Sequence, residues 1–379
     1  MNKIQMAVVL MLLVLVGCQQ ATEPPAVEEP VTPPEETEVE QEEEPEPPPP
    51  VEEETTISIG AVGDVLLHER LYETAEVEDG YDFMPMLEPV KHLMEAPDFM
   101  MANQESLPGG EELGLSTYPT FNSPQEIARD LQLAGVDMVS VANNHTLDRG
   151  LDLVYNSIDY YEEIGLGYVG AYRDQDDRDT DRIVDVDGIT LGILAYTYGT
   201  NGIPVPEGHD YVVALIDDEQ MEEDVAALRD EVDILIVHMH WGAEYILEPN
   251  EDQLQQANLL AEAGVDIIFG HHPHVLQPIE VIEQEDGHET TVFYSLGNFL
   301  SGQNFDYTDI GGIATIDVTK VTLDDELVSL EVHSPHIEPT VVTREEGSFR
   351  VRELSEVGAS PINGSTHDEM SEHVIQYIE

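Results

Sequence analysis

Residues 138–164, MVSVANNHTLDRGLDLVYNSIDYYEEI, place a short apolar run, a polar turn and a longer amphipathic run in immediate succession. The run 138–142 has the composition of a buried strand. From 151 to 164 the apolar residues recur at helical spacing. Alternating strands and helices are typical of an α/β fold, in which polar residues just past the strand ends tend to be functional.

The same alternation continues on both sides of this stretch. Ser123 and Glu126 predict a capping box at the start of one of the helices. After residue 311 the helices stop and an antiparallel portion is predicted, with a short helix at 371–377. Strands are predicted at 57–62, 98–101, 138–142, 190–196, 233–238, 265–269, 291–294, 313–318, 327–332 and 340–342, and longer helices at 84–94, 123–134, 151–164, 217–230 and 249–263.

Five of the predicted strands end in side chains that can bind a metal ion. Each cluster alone has an ordinary structural explanation, such as a turn, a helix cap or a buried histidine pair. Together they favour one site, because strand ends in an open α/β sheet converge on one edge. The candidate ligands are Asp64, Glu105, Asn144, His240, His272 and His274.

This set of ligands fits a divalent transition metal. Imidazole suits Zn, Fe and Mn, whereas carboxylates suit Mn and Mg. The six side chains are enough for one metal, or for two that share a carboxylate and keep open water positions. Such a site would polarise a phosphoryl or carbonyl oxygen. His145, next to Asn144, is free to donate a proton to a leaving group.

The charge of the chain excludes several functions. Asp and Glu total 80 against 13 Lys and Arg, for a net charge of -67, which argues against binding nucleic acid through a basic patch. Like-charge repulsion favours a salt-rich, halophilic environment, where about 1 M salt shortens the screening length to roughly 3 Å. The single Cys excludes an intramolecular disulfide and a Cys-rich zinc module.

Residues 1–18 have the layout of a secretory signal. Lys3 precedes an apolar run at 6–16 that is too short for a comfortable membrane span. The sequence LVGC at 15–18 resembles the bacterial lipobox, whose cysteine is acylated. This predicts a lipoprotein anchored by Cys18 on the extracellular face of the cytoplasmic membrane. An ordinary signal peptide, or an uncleaved anchor with an incidental cysteine, is the alternative.

Residues 19–56 contain 14 Glu and 10 Pro and no Lys or Arg. This composition predicts a disordered tether, extended by charge repulsion and by polyproline stiffness. Binding of cations or basic wall components is the alternative role. A folded domain is then predicted over residues 57–379, which still carry a charge of -54 once the 14 Glu of the tether and Lys3 are left out.

Six motifs, spread over residues 57–339, resemble the bacterial capsule-synthesis CapA family. That family is associated with poly-γ-glutamate capsule production and is related to calcineurin-like metallophosphoesterases. The resemblance is carried, in chain order, by GDVLL at 63–67, NQES at 103–106, ANNHTLDRG at 142–150, HWGAEY at 240–245, HPHVLQP at 272–278 and YSLGNF at 294–299.

The resemblance implies a calcineurin-like four-layer α/β/β/α sandwich with a metal site. Asp64 matches the first metal carboxylate and Glu105 the bridging one. Asn144 matches the metal-binding Asn, with His145 as its catalytic partner, and the imidazole ligands are His240, His272 and His274.

The chain departs from the phosphoesterase pattern after the first strand. An Asp-x-His motif is usual there, but the residue two after Asp64 is Leu66, and the nearest imidazole is His68. Glu105 in place of Asp also lengthens the bridging arm. We therefore expect at least one metal, with the second weaker or absent.

Four further residues, three of them within the motifs, have supporting or alternative roles. Asn298 orients a ligand or completes a turn, and His238, on the same strand face as His240, is a candidate to support a ligand or contact the substrate. Asp148 is predicted to cap the helix that begins at 151. Arg149 is a candidate clamp for an anionic substrate.

Two functions from different classes follow. The first is a metal-dependent hydrolase or transferase acting on a phosphoester, or on an amide of an anionic wall or capsule polymer. The second is an assembly subunit, working with capsule synthase membrane subunits, whose metal site holds nascent poly-γ-glutamate. Because protein and polymer are both acidic, activity or polymer binding is expected to rise with salt.

Overall fold

The computed structural model describes residues 51–324, 326–345 and 347–378. The predicted signal sequence with Cys18, and residues 19–50 of the predicted tether, lie outside the described residues. Residues 52–56, the end of that predicted tether, form the start of the first strand. The sheet therefore begins before the predicted domain start at residue 57.

Strands and helices alternate through the first two thirds of the described chain, as predicted. The strands are β1 (Glu52–Leu66), β2 (Glu76–Val77), β3 (Gly80–Tyr81), β4 (Phe99–Asn103), β5 (Met138–Ser140), β6 (Gly167–Val169), β7 (Ile183–Val186), β8 (Ile189–Thr197), β9 (Ile234–His240), β10 (Ile267–His271), β11 (Ile279–Glu283), β12 (Glu289–Phe293), β13 (Asn298–Ser301), β14 (Ile310–Leu323), β15 (Glu326–Glu345) and β16 (Ser348–Glu353).

The helices are mostly short, and the longest two lie on opposite sides of the molecule. Among the described residues, no helix combines the length and the apolar composition that a bilayer span requires. The α-helices are α1 (Glu69–Ala75), α2 (Met84–Leu87), α3 (Lys91–Met94), α4 (Glu126–Leu133), α5 (Leu151–Ile164), α6 (Gln175–Arg178), α7 (Asp218–Arg229), α8 (Glu251–Ala263), α9 (Leu354–Val357) and α10 (His367–Val374).

Two mixed sheets form the centre of the molecule. The first has the order β16-β15-β14-β1-β4-β5-β6, with β13 also pairing with β1, and the second has the order β11-β12-β10-β9-β8-β7. In the first sheet β1, β4, β5 and β6 are parallel, and β14 to β16 form the predicted antiparallel portion. In the second, β8, β9, β10 and β12 are parallel.

Three hydrophobic clusters separate four layers. The middle cluster joins residues of both sheets, such as Ile59 of β1 and Ile236 of β9. A second cluster lies between the first sheet and α4 and α5, and a third lies between the second sheet and α7 and α8. The predicted α/β class and the four-layer α/β/β/α arrangement are thereby confirmed.

The end of β1 is held between two neighbouring strands. Asp64 pairs in register with Asn103 of β4 and with Asn298 of β13, and the register shifts on either side of it. Gly63 permits this approach, because a Cβ there would lie 2.0 Å from the carbonyl oxygen of Gly297. The irregularity turns Asp64 into the edge where β4 also ends.

Some predicted boundaries were wrong for identifiable reasons. The predicted helix 84–94 is divided into α2, a 3₁₀ turn at Glu88–Val90 and α3. Pro89 has no N–H to donate within a continuous helix, which accounts for the interruption. The segments predicted as separate strands at 327–332 and 340–342 belong to the single strand β15.

The predicted capping box at Ser123 does not form. Helix α4 begins at Glu126, and its N-cap Gln125 makes no side-chain capping bond. The Glu126 carboxylate instead accepts a hydrogen bond from the backbone N–H of Tyr81 at 3.2 Å. Tertiary contact with the β2–β3 hairpin has replaced the local motif.

A substitution at Gly270 in β10 tests how closely the strand ends approach each other. A Cβ at this position would lie 2.0 Å from the carbonyl oxygen of Tyr294, whereas a Cβ at Gly199 would meet nothing within 4 Å. Gly270→Ala should lower the free energy of unfolding by at least about 1–3 kcal/mol, the usual cost of overpacking. Urea denaturation measures this. Equal unfolding midpoints for Gly270→Ala and the control Gly199→Ala would contradict the packing described.

Candidate metal centre

The six predicted ligands lie together at the strand ends. Asp64 is at the end of β1, Glu105 follows β4, and Asn144 follows β5. His240 ends β9 of the other sheet. His272 and His274 follow β10, and all six side chains are buried. Both sheets therefore contribute to one site.

Asp64 is fixed by two neighbours. Its Oδ1 accepts a hydrogen bond from the Nδ2 of Asn103 at 2.8 Å, and its Oδ2 lies 2.9 Å from the Nδ1 of His274. The backbone N–H of Asp64 donates to the carbonyl of Gly297 at 2.8 Å. The carboxylate is thus oriented before any ligand binds.

Glu105 lies between two groups of candidate ligands. One group consists of Glu105 with Asp64 and His274, and the other of Glu105 with His240 and His272. Within each group the ligand atoms are no more than 4.8 Å apart. Glu105 Oε1 is 3.7 Å from His240 Nε2, and Oε2 is 3.8 Å from His274 Nδ1. This is the position of a bridging carboxylate.

The second group is completed by a carboxamide. Asn144 Oδ1 is 3.1 Å from His240 Nε2. The imidazole ring centroids of His240 and His272 are 4.9 Å apart, and Tyr198 lies 4.7 Å from the His272 ring. The donor set on this side is therefore one carboxylate, one amide oxygen and two imidazoles.

The backbone around Pro273 is strained. His272 has φ 94° and His274 has φ 61°, in the left-handed region that non-glycine residues rarely adopt. Strain of this kind costs about 1–3 kcal/mol per residue and is typical of functional sites. The two imidazole centroids lie 5.8 Å apart.

The chemistry of the site fits a divalent cation. Both carboxylate oxygens of Glu105, and the Nδ1 of His272, are buried without a hydrogen-bond partner in the described structure. Asp64 and Glu105 are both fully buried. Burying two carboxylates is costly unless a cation compensates them, and a metal ion at the centre of these ligands would do so.

Burial and mutual proximity shift the pKa values within the site. Burial raises the pKa of Glu105 well above its usual range, with His274 opposing the shift and Asp64 adding to it. Burial lowers the pKa of His272 to about 3. Burial also acts to lower the pKa of His274, but the Glu105 and Asp64 carboxylates outweigh it and raise this pKa to about 9. Without metal, His274 holds a proton at neutral pH.

His145 is oriented by Asp148. The Nδ1 of His145 is 2.7 Å from the Asp148 carboxylate, which also accepts a hydrogen bond from the backbone N–H of Phe121 at 2.6 Å. The predicted capping role of Asp148 was wrong, because α5 has Gly150 as its N-cap with no side-chain capping bond. With Nδ1 engaged, Nε2 of His145 remains to exchange a proton.

A cleft of about 600 Å³ opens beside these residues. His145, His274 and Glu244 line it, together with His68. Burial lowers the pKa of His68 to about 4, so this ring is neutral at pH 7. His68 lies at the start of α1 rather than among the metal ligand groups.

Two of the other predicted residues lie next to the ligand groups rather than within them. The Nδ1 of His238 is 3.0 Å from the Nε2 of His271, whose Nδ1 lies 3.7 Å from Asp64. Asn298 donates from Nδ2 to the carbonyl of Thr308 at 2.9 Å and to Gln303 at 3.0 Å. Through these contacts His238 connects β9 with the end of β10, and Asn298 connects the start of β13 with the loop that follows that strand.

Arg149 lies apart from the ligand cluster. Its guanidinium donates hydrogen bonds to the carbonyls of Leu113 and Gly114 and to the hydroxyl of Ser116, at 2.9–3.1 Å. These contacts hold the loop that precedes Thr117, and Thr117 lines the cleft. In this structure Arg149 shapes the cleft wall and does not line the cleft itself.

Sequence reasoning missed several side chains of the site. Asn103 and His271 flank predicted ligands but received no role. Glu244 forms a further candidate metal group with His272 and His274. The Nδ2 of Asn201 lies 3.4 Å from the Nδ1 of His145. Asn103 and Glu244 stand inside the quoted motifs, which was the available signal; Asn201 had none.

The family of the chain is established by comparison with known proteins. A family model described as bacterial capsule synthesis protein PGA_cap matches residues 58–303, more than half of the chain. The chain therefore belongs to this capsule-synthesis family, as its motifs suggested.

Among individual relatives, the chain is similar to the PGA biosynthesis protein CapA of Bacillus subtilis (strain 168). The two are 27% identical over 309 residues, which cover 79% of this chain and 78% of that protein. It is 30% identical over 194 residues to the capsule biosynthesis protein CapA of Bacillus anthracis, covering 50% of this chain and 46% of the relative.

Among solved structures, the chain is similar to the NAD nucleotidase of Haemophilus influenzae. The sequence identity is 13% and the TM-score 0.44, over 80% of this chain and 60% of that one. The fold assignment of the present chain rests on its own strand order and layers, and does not depend on this similarity.

Two ligand variants test the metal centre. Glu105→Gln removes the shared carboxylate and His272→Ala removes one imidazole, so both should lower the bound metal content by roughly tenfold or more after dialysis. Elemental analysis of the purified proteins measures this. His336→Ala, at an exposed histidine of β15, is the control and should keep wild-type metal. Full metal content in both ligand variants would contradict the site.

The pKa of His274 predicts a pH dependence. Metal must displace the proton that His274 holds below about pH 9, so the apparent affinity for Mn²⁺ should rise by up to about tenfold per pH unit between pH 6 and 8. The gain should level off above pH 9. Titration at three pH values, with proton release followed in weak buffer, measures this. A pH-independent affinity without proton release would show that His274 is not a ligand.

Proposed function

We propose that this protein is a cell-surface capsule-synthesis protein with a metal-dependent, phosphoesterase-type hydrolase site. Its substrate is a phosphoester or an anionic capsule polymer such as poly-γ-glutamate. The observation that carries the proposal is the pair of ligand groups sharing Glu105, beside a cleft that both His274 and His145 line, with His145 oriented by Asp148. Family membership supports the capsule context, since the Bacillus relatives are named for capsule or PGA biosynthesis.

The ligand set supports one or two divalent ions of Mn, Fe or Zn. The group around Asp64 and His274 and the group around His240 and His272 each offer three side chains, and Asn144 adds an amide oxygen to the second. A bound divalent metal supplies Lewis-acid polarisation of the substrate oxygen and lowers the pKa of a water molecule. Glu105 and Asp64 hold the negative charge that fixes such an ion.

The protein side chains provide the proton transfer and the orientation. Asp148 accepts from the Nδ1 of His145, which leaves Nε2 to donate a proton to the leaving group in the cleft. Asn201, 3.4 Å from the same ring, limits its rotation. The buried walls of the site strengthen each of these interactions by excluding water.

The cellular location is part of the proposal. The lipobox-like sequence ending at Cys18 and the acidic, proline-rich residues 19–51 support a lipid anchor followed by a tether outside the cell. The protein would then act beside capsule synthase membrane subunits. A protein carrying this charge would work best at high salt.

Turnover decides between hydrolysis and assembly. Purified protein loaded with Mn²⁺ should cleave a generic phosphodiester such as bis(p-nitrophenyl) phosphate. His145→Ala and Asp148→Asn should each lower kcat by about 10²–10⁴-fold while retaining metal, because they remove only the general acid or its orientation. The control His336→Ala should match the wild type.

The assay has a clear contrary outcome. A wild type that carries metal yet cleaves neither the phosphodiester nor poly-γ-glutamate would contradict the hydrolase. In that case binding of the polymer without turnover would favour the assembly subunit, because a metal ion held by these ligands would also bind carboxylates.

A further inference from the structure

One wall of the cleft carries an arginine that the proposed chemistry does not use. Arg70, in α1, lines the cleft together with the aromatic side chains of Tyr118 and Phe305 and with His145 and His274. It belongs to no metal ligand group. Its surroundings indicate what it binds.

Arg70 makes no ion pair and no hydrogen bond within the described residues. Its guanidinium carbon lies 5.8 Å from the ring centroid of Phe349. Arg344 lies on the same ring at 5.4 Å and repels Arg70. Two like charges therefore share one ring, and no carboxylate among the described residues lies within 4.0 Å of the Arg70 guanidinium.

This isolation is unusual in so acidic a chain. With 80 acidic residues against 13 basic ones, carboxylates are abundant. Most of the described cations have a carboxylate within 4.0 Å: Lys91, Arg129, Arg173, Arg178, Arg182, Arg229, Lys320 and Arg352. Arg70 is half-buried, so its charge is partly desolvated, and none of the described carboxylates pairs with it.

The local backbone keeps space for this guanidinium. A Cβ at Gly302 would lie 2.9 Å from the Nε of Arg70 and 2.7 Å from the Cβ of His68. Glycine at 302 thus lets α1 and the end of β13 approach each other with Arg70 between them. The arginine is held at the cleft wall rather than extended into bulk solvent.

We propose that Arg70 binds a carboxylate of an acidic oligomeric substrate while another acidic group of the same molecule occupies the metal centre. This rests on the proposed function and names its substrate class. A planar guanidinium is suited to bidentate binding of a carboxylate. A cleft of about 600 Å³ has room for more than one residue of such a chain.

The charge distribution favours an oligomer over a nucleotide. A nucleoside monophosphate has a single acidic group, which the metal centre would take, and it would leave Arg70 without a partner. A chain of γ-linked glutamates places a carboxylate on every residue. The exposed side chains of Tyr118 and Phe305 then contact the apolar parts of the chain.

The test compares variants in binding of a γ-linked glutamate oligomer at 1 M salt. Arg70→Gln should raise the Kd by roughly tenfold or more, because one charge-assisted contact is lost. Arg70→Lys keeps the charge and should fall between. Arg173→Gln, which removes an exposed cation paired with Asp159 and Glu162, is the control and should bind as the wild type does.

Two further readouts separate this role from a structural one. Metal content should be unchanged in all four proteins. Inhibition of phosphodiester cleavage by inorganic phosphate should also be unchanged, since phosphate needs only the metal centre. Loss of metal or of phosphate inhibition in Arg70→Gln would show a general disturbance of the site and would overturn the assignment.

The contrary results are distinct for the two proposals. Equal oligomer affinity in the wild type, Arg70→Gln and Arg173→Gln would overturn the role of Arg70 and leave the proposed hydrolase intact. A wild type that holds metal and cleaves the phosphodiester but binds no oligomer would remove the acidic polymer from the proposed function, and the role of Arg70 with it.

Discussion

The burial of two carboxylates beside three imidazoles is the constraint on which the rest of the site depends. Asp64 and Glu105 are fully buried, and both oxygens of Glu105 lack a hydrogen-bond partner in the described structure. Desolvating a carboxylate costs several kcal/mol even after relaxation. A cation bound beside Glu105 would relieve this cost for both ligand groups, because Glu105 belongs to both.

The fold maintains this costly arrangement through close backbone contacts. Gly63 and Gly270 let β1 and β10 come against the carbonyls of Gly297 and Tyr294, where a Cβ would lie at 2.0 Å. The cores on both faces of each sheet keep these strand ends in register. Asp64 and His240 lie on strands and the other four ligands follow strand ends, which suits a site that must be oriented before substrate binds.

Much of this could be predicted from the sequence, because the carboxyl ends of parallel strands meet at one edge. The six ligands and His145 each follow a predicted strand, and they lie together in the structure. The role of Asp148 depended on the turn that follows His145, and that of Arg149 on the loop at 113–116. Local sequence propensity does not determine the course of either segment. Arg70 belongs to none of the quoted motifs. Its lack of a carboxylate partner among the described residues becomes visible only when the ion pairs of the other cations are known.

The most direct measurement of the central claim is anomalous X-ray diffraction from crystals of the protein grown with a divalent transition metal. The account predicts anomalous density at coordination distance, about 2 Å, from Glu105, flanked by Asp64 and His274 on one side or by His240 and His272 on the other. Density confined to surface carboxylates, with Glu105 free of metal, would contradict it.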